Sequence, residues 1–184
     1  WEAFNNSVGN GKVYFYDHFG SSDEDNLINR IRYFAVALGC KYIILDHLSI
    51  VVSGLEGGDE RRIIDNTMTK IRTLVEELHI GMILVSHLKR PNSDKGHEDG
   101  LTTSLAQLRG SAGIGQPSDI VIGLERNQQD QENSDLSTVR ILKNRWTGET
   151  GIACYFYEGS QRFWPWTTAV PDNTTRDNGL YYRQ

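Results

Sequence analysis

Two apolar runs each end on side chains able to do chemistry: Ile43-Ile44-Leu45 leads into Asp46-His47, and Met82-Ile83-Leu84-Val85 into Ser86-His87. If both runs are strands of an open parallel sheet, these side chains stand at the strands' carboxyl ends, where such sheets collect ligands. A carboxylate there can hold the hydrated magnesium of a nucleoside triphosphate, and a histidine on the neighbouring strand can reach the terminal phosphate. Each residue also has a plainer reading, Asp46 as a loop cap and His87 as a satisfied core histidine. Directly after His87, the residues Lys89, Arg90, Lys95 and His97 bring cations to a stretch able to grip a phosphate backbone. Asp94, Glu98 and Asp99 offset much of that charge, which suits an ordinary solvated loop as well. Lys143 and Arg145 alternate with Asn144, so on a strand both point to one face, just ahead of a turn. Arginine's permanently charged fork suits the charge that builds on a transferring phosphoryl group, and an edge hairpin can project it into a neighbour's site. The alternative is an edge-strand charge that discourages aggregation.

The elements that must position these groups follow from periodicity. Val13 to Tyr16 (V-Y-F-Y) reads as a short strand, and Ser21-Ser22-Asp23 offers caps for a helix whose apolar positions are Leu27, Ile28, Ile31, Phe34, Ala35 and Leu38. Gly39 suits the helix C-terminus, and Tyr42 to Leu45 is a continuous apolar run, the mark of a strand covered on both faces. Asp59 can cap a second helix with a stripe of Ile63, Ile64, Met68, Ile71, Leu74, Val75 and Leu78, followed by a strand at Met82 to Val85. Strand–helix alternation of this kind predicts a parallel sheet with right-handed crossovers. Leu88 to Thr103 is too polar and broken to be an element and reads as a long loop. A short helix from Ser104, a strand at Ile120 to Leu124, an acidic turn at Asp130 to Asp135, and strands at Ser137 to Trp146 and Ile152 to Tyr157 complete the pattern, which ends in an antiparallel hairpin. Beyond Trp166 there is no periodicity, so a tail ordered only by docking is expected.

A chain of 184 residues with 38% hydrophobic content accommodates one domain with a real core. The net charge of −5 excludes nucleic-acid binding through a uniformly basic surface, so any such contact must come from a local basic loop or from repeated subunits. Cys40 and Cys154 form no C-x-x-C spacing, which fits a reducing compartment and leaves no cysteine-built zinc framework. No apolar run approaches the roughly 18 residues of a membrane span, and no leader pattern opens the chain, so a soluble intracellular protein is expected. Because the chain opens on Trp1, it is expected to be part of something longer.

Taken in order, several blocks resemble the phage-type primase-helicases and the mitochondrial Twinkle helicase, a branch of the DnaB-like hexameric replicative helicases. I-I-L-D-H-L-S-I-V-V-S from Ile43 and D-E-R-R-I-I-D-N-T-M-T-K from Asp59 resemble that group's Walker B region and the helix after it. Further matches are H-L-K at His87, L-R-G-S at Leu108, L-E-R-N-Q-Q at Leu124 and V-R-I-L-K-N-R-W-T-G-E-T-G-I-A at Val139. The resemblance covers most of Val13 to Trp164 and implies an α/β, RecA-like three-layer fold with a mainly parallel central sheet and a C-terminal antiparallel hairpin. Residues 1–166 would be a partial helicase motor domain from Walker B onward, and 167–184 a poorly ordered tail.

By this resemblance Asp46 would organise magnesium, and His87 would sense the terminal phosphate and couple it to the next loop. Lys89, Arg90, Lys95 and His97 would belong to the loop that lines a channel for single-stranded DNA. Arg145 would be an arginine finger acting on the neighbouring subunit's nucleotide, with Lys143 beside it. Arg126 and, with a one-residue shift, Tyr157 would sandwich the base, and Gln116 would lie near nucleotide and DNA. The implied cofactors are Mg2+ and ATP or dTTP. The implied partners are single-stranded DNA, further copies in a hexameric ring and other replisome proteins, with no membrane. The implied location is the cytoplasm (of a host cell, if phage-encoded), with the mitochondrial matrix as alternative. The sequence departs from the family at Gly115, where close relatives carry a basic residue. It also has no match to the phosphate loop G-x-x-x-x-G-K-[ST], nor to the catalytic glutamate that follows it. Both would lie before Trp1, so the chain alone is expected to be inactive. A RecA-like recombination or regulatory ATPase, and a non-catalytic assembly or DNA-binding module, remain the competing readings.

Overall fold

The computed structural model describes residues 1–16, 24–51, 60–91, 96–108, 111–159 and 162–165. Helix α1 (Glu2–Ser7) is followed by α2 (Glu24–Val36), strand β1 (Tyr42–Leu45), a 3-10 turn (Leu48–Val51), the long helix α3 (Glu60–Leu78) and β2 (Gly81–Leu84). β1 and β2 pair in parallel, with Leu45 opposite Leu84. The boundaries follow the periodicity closely. Gly39, at φ 68°, takes the left-handed conformation that releases the chain from α2 into β1. After α3 the same role falls to His79 at φ 53°, a position the composition does not flag.

One core joins these elements. Leu27 and Ile31 of α2, Leu48, and Ile64, Met68, Ile71 and Leu74 of α3 are buried together with Ile80, Leu108, Ile114 and Val121. Apolar positions recurring at helical spacing thus all face inward, which is why α3 forms here. Across the outer edge of the α2–α3 pair, Arg32 grips Glu77 at 2.7 and 3.0 Å, and Lys70 reaches Asp25 at 2.8 Å. Such exposed pairs are screened by solvent and add little to stability.

Beyond β2, the described part of the long loop forms neither helix nor strand apart from two isolated bridges, Leu88 to Leu108 and Asp99 to Asn127. A 3-10 turn (Leu105–Gln107) forms where a short helix was expected, its start closed by Gln107 Oε1 accepting the Ser104 N–H at 2.8 Å. Then come the short α4 (Ser111–Gly115) and strands β3 (Ile120–Arg126), β4 (Leu136–Asn144), β5 (Gly151–Tyr157) and β6 (Arg162–Pro165). These four form an antiparallel sheet in sequence order.

Further expectations change. Val13 to Tyr16 forms no strand: its last residue, Tyr16, meets α2 instead, edge-on to Phe34 and with Arg30 4.8 Å above its ring. Strand composition without a ladder partner does not make a strand. The β1–β2 pair is covered on one face only, since Tyr42, Ile44 and Ile83 are 79, 68 and 55% exposed. The antiparallel part is larger than a hairpin, because β3 pairs with β4 and β6 adds a fourth strand closed by Pro165, a residue tolerated at sheet edges. Helices α1 and α4 are too short for periodicity to reveal. The caps expected at residues 21–23 and at Asp59, the loop residue Lys95 and the expected tail 167–184 lie outside the described residues. Among the described residues no helix is long and apolar enough to cross a membrane.

The loop is fastened to the antiparallel sheet by a charged cluster. Glu125 accepts from Arg140 Nε and Nη2 at 2.7 and 3.0 Å and from the N–H and hydroxyl of Thr103 at 2.8 Å each. Gly123 leaves room for this contact: a Cβ there would stand 2.1 Å from the Thr103 hydroxyl. Burial alone would push the Glu125 carboxyl up. The Arg140 fork and the two Thr103 donors outweigh it and hold the group below its ordinary value. A carboxyl depressed in the folded state stabilises fully above its unfolded pKa, and that contribution is lost as pH falls through the folded value. The expected result is a Tm that falls more steeply below about pH 4.5 in the parent chain than in Glu125→Gln. Parallel slopes in thermal melts from pH 6 to 3 would show that this cluster contributes nothing.

Candidate nucleotide and DNA site

β1 and β2 end side by side. Val85 N donates to Leu45 O at 2.9 Å and Leu48 N to Val85 O at 2.9 Å, so Asp46 and His47 are bracketed by the strand that delivers Ser86 and His87. The His47 and His87 rings meet with centroids 4.3 Å apart and planes at 60°. His47 Nδ1 is buried with no hydrogen-bond partner, whereas His87 is exposed. The Asp46 carboxylate is exposed and makes no ion pair or hydrogen bond among the described residues.

Among the described residues no group of three or more His, Cys, Asp or Glu could hold a metal by itself. A lone exposed carboxylate at a strand end instead fits magnesium, which keeps most of its water and is bound through one or two carboxylates plus substrate phosphates. The donor set therefore suits a metal that arrives with a nucleotide.

The chain leaves His87 directly into the candidate DNA loop. Lys89 N donates to Gln107 O at 2.7 Å, and His97 Nε2 lies 3.2 Å from Lys89 O. At the far end Gln128 N donates to Glu98 O at 2.9 Å. The loop is thus fastened at both ends, with the Lys89 and Arg90 side chains exposed between them. His97 turns back onto the loop's own base, which makes it a tether in this conformation.

A second cluster gathers Gln116, Lys143 and Arg145. Lys143 Nζ donates to the carbonyls of Gly115 and Gln116 at 2.7 and 3.0 Å, and Arg145 Nη2 to Gln116 O at 3.1 Å. Both cations reach the Gln116 carbonyl at the end of α4, although β4 ends at Asn144 and Arg145 already lies in the turn beyond it. Arg145 also pairs with Asp119 at 2.9 Å, and Asp119 with Arg72 at 2.7 Å. No contact among the described residues joins this cluster to Asp46 or His87.

Arg126 stands apart from both. Its Nε donates to Ser134 O at 2.6 Å and its guanidinium pairs with Glu158. A cleft opens beside it between Gly100, Asn127, Asp130 and Asn133. The expected sandwich with Tyr157 is corrected. Register sets Arg126 opposite Ser137 and Ser137 opposite Phe156, so Tyr157, the next residue along, faces the other side of the sheet. Tyr157 is fully buried, edge-on to Trp164. The aromatic in the Arg126 row is Phe156, 4.9 Å from Phe163.

Sequence reasoning placed His47 at a strand end without giving it a role, and passed over Asp119 and Arg72. The adjacency of His47 to Asp46 was visible, but its contact with His87 depends on the pairing of β1 with β2. Asp119 and Arg72 are 47 residues apart and carried no pattern linking them.

The family described as DnaB-like helicase C terminal domain matches residues 2–164. A DNA helicase/primase of Enterobacteria phage T3 is 40% identical over 163 residues, which span 89% of this chain and 29% of that protein. A probable plasmid replicative DNA helicase of Chlamydia psittaci is 26% identical over 137 residues, 73% of this chain and 29% of its own length. Among solved structures, one described as an ATPase domain superposes with a TM-score of 0.65 at 18% identity, covering 90% of this chain and 60% of that one. A DnaB-like replicative helicase solved for its interactions with primase gives 0.66 at 18% identity, covering 85% and 39%. These structures speak for the RecA-like fold class, and the chain spans under a third of the curated relatives' length.

Proposed function

The chain belongs to the DnaB-like helicase C-terminal domain family, and from that premise we propose that it forms the Walker B half of a motor that couples nucleotide hydrolysis to movement on single-stranded DNA. The observation that carries this reading is the pairing of β1 with β2. It sets Asp46 beside a His47–His87 ring contact, tilted at 60°, whose chain continues from His87 into a cationic loop.

In this reading Asp46 holds the water shell of magnesium bound to ATP or dTTP, and the metal supplies charge neutralisation at the phosphates. His87 contacts the terminal phosphate. A shift of His87 moves Lys89, because only Leu88 separates them and the Lys89 N–H is the loop's bond to Gln107. Lys89 and Arg90 hold the DNA backbone, Lys95 joins them, and Arg126 contacts the base from the outer row of its sheet. Arg145, with Lys143 beside it, reaches the nucleotide of an adjoining subunit in a hexameric ring. Among the described residues its hydrogen bonds and ion pair go to Gln116 and Asp119 and not to Asp46 or His87, which supports action in trans. A primase is the partner suggested by the DnaB-like relative solved for its interactions with one, and other replisome proteins would join it. The phosphate loop and catalytic glutamate are not in these residues, so turnover by the isolated chain is negligible.

The test uses the intact protein that carries this chain. It should displace a strand from a forked duplex only with hydrolysable triphosphate. Lys89→Ala and Arg90→Ala should each lower single-stranded DNA affinity and flatten the log–log salt slope by about 0.7 per lost phosphate contact. Unchanged affinity and slope in both variants, read by fluorescence anisotropy, would remove the loop from the DNA site. Hydrolysis without strand displacement would favour a recombination or regulatory ATPase.

A further inference from the structure

We propose that Asp119 is a positioning residue for Arg145, fixing its guanidinium in the orientation presented to the neighbouring subunit's nucleotide. This rests on the reading of Arg145 as a finger. Asp119 holds Arg145 twice: its carbonyl accepts the backbone Arg145 N–H at 2.9 Å, and its Oδ1 forms an ion pair with Nη1 at 2.9 Å. The other carboxylate oxygen accepts Arg72 Nη1 at 2.7 Å. Arg72 belongs to α3, whose neighbouring residues Ile71 and Leu74 are in the core, and its Nε is tied to Glu76 at 2.7 Å. A chain of short bonds therefore runs from the most buried helix, through one carboxylate, to an exposed guanidinium at the end of β4.

The same guanidinium is held on a second side by Gln116 O at 3.1 Å. That carbonyl follows α4, whose Ile114 is buried and whose last turn is closed by Ser118 Oγ donating to Ile114 O at 2.7 Å. Arg145 has five N–H donors, and these two bonds leave donors on the same plane for phosphoryl oxygens. A free arginine at a hairpin must lose rotamer freedom when it docks. One already held in place docks without that cost, which is the advantage of preorganisation. Because the finger acts on charge that develops during transfer, losing its orientation should lower kcat and leave ground-state nucleotide binding nearly intact.

The experiment is DNA-stimulated hydrolysis by the intact protein. Asp119→Asn keeps size and the backbone bond but weakens the hold on both arginines. The expected result is kcat lower by about 10- to 100-fold, as for a reacting group displaced by about an ångström, with nucleotide KM within about threefold. If Asp119→Asn loses its cooperative melt, Asp119→Glu decides. It keeps the charge pairs and pushes the guanidinium outward by one methylene, so kcat should fall at unchanged KM. Unchanged or raised kcat in the folded variant, or a loss confined to KM, overturns the proposal. A raised kcat would mean that Asp119 parks Arg145 out of use. Arg145→Ala is run alongside: if it retains full turnover the finger reading itself fails, whereas its loss beside a fully active Asp119→Asn rejects Asp119 alone.

Discussion

Replacing Arg145 by alanine in the intact protein is expected to lower nucleotide turnover by about 10³- to 10⁵-fold, the range over which an arginine finger acts on phosphoryl transfer. The protein should still assemble and still bind nucleotide, because the side chain is exposed and its partners Asp119 and Gln116 can be hydrated once it is gone. Lysine should not restore activity, since a point charge on a flexible stem cannot reproduce the planar fork that bonds a carboxylate and a phosphate together. Single-turnover hydrolysis gives the magnitude. Mixing subunits gives the geometry: a site in trans combines Asp46 from one chain with Arg145 from the next. An equal mixture of Arg145→Ala and Asp46→Asn subunits should therefore regain turnover that neither has alone. Two variants that are inactive both apart and together would place Arg145 in cis or outside the site.

Asp46→Asn is the second large effect. Removing the carboxylate takes away the hold on the metal–nucleotide complex, and metal assistance is worth several kcal/mol in the transition state. At about 1.36 kcal/mol per factor of ten, a loss of about 4 kcal/mol is about 10³-fold in kcat. The fold should hardly notice. Asp46 is exposed and has no hydrogen-bond or ion-pair partner among the described residues, so its contribution to stability should lie within about 0.5 kcal/mol. A normal melt combined with lost turnover and a raised magnesium requirement is the expected pattern. A destabilised chain that keeps its turnover would return Asp46 to the role of a loop cap.

Local pattern made much of this fold legible. The stripes of α2 and α3 carry the helical period, the short apolar runs at β1 and β2 have strand length, and the predicted and observed bounds coincide for β1. Elements without such a period were missed. β6 is four residues long and exists through its ladder with β5, while Val13 to Tyr16 has strand composition and no ladder. Tyr157 shows the sharpest form of the difficulty. Successive strand residues alternate between faces, so a one-residue shift in reading moved an aromatic side chain from the Arg126 row to the buried side.

Residue order alone was enough to pick out the groups able to do chemistry at strand ends, the succession of the longer helices and strands from α2 to β5, and the family. These depend on composition and on spacings of a few residues, which one chain displays in full. Which of those groups meet is a property of the folded molecule. The His47–His87 contact, the Arg72–Asp119–Arg145 chain and the Thr103–Glu125–Arg140 cluster all join segments distant in sequence. Such contacts are set by strand register and by the packing of α3 and α4 on one core, and no local period encodes either.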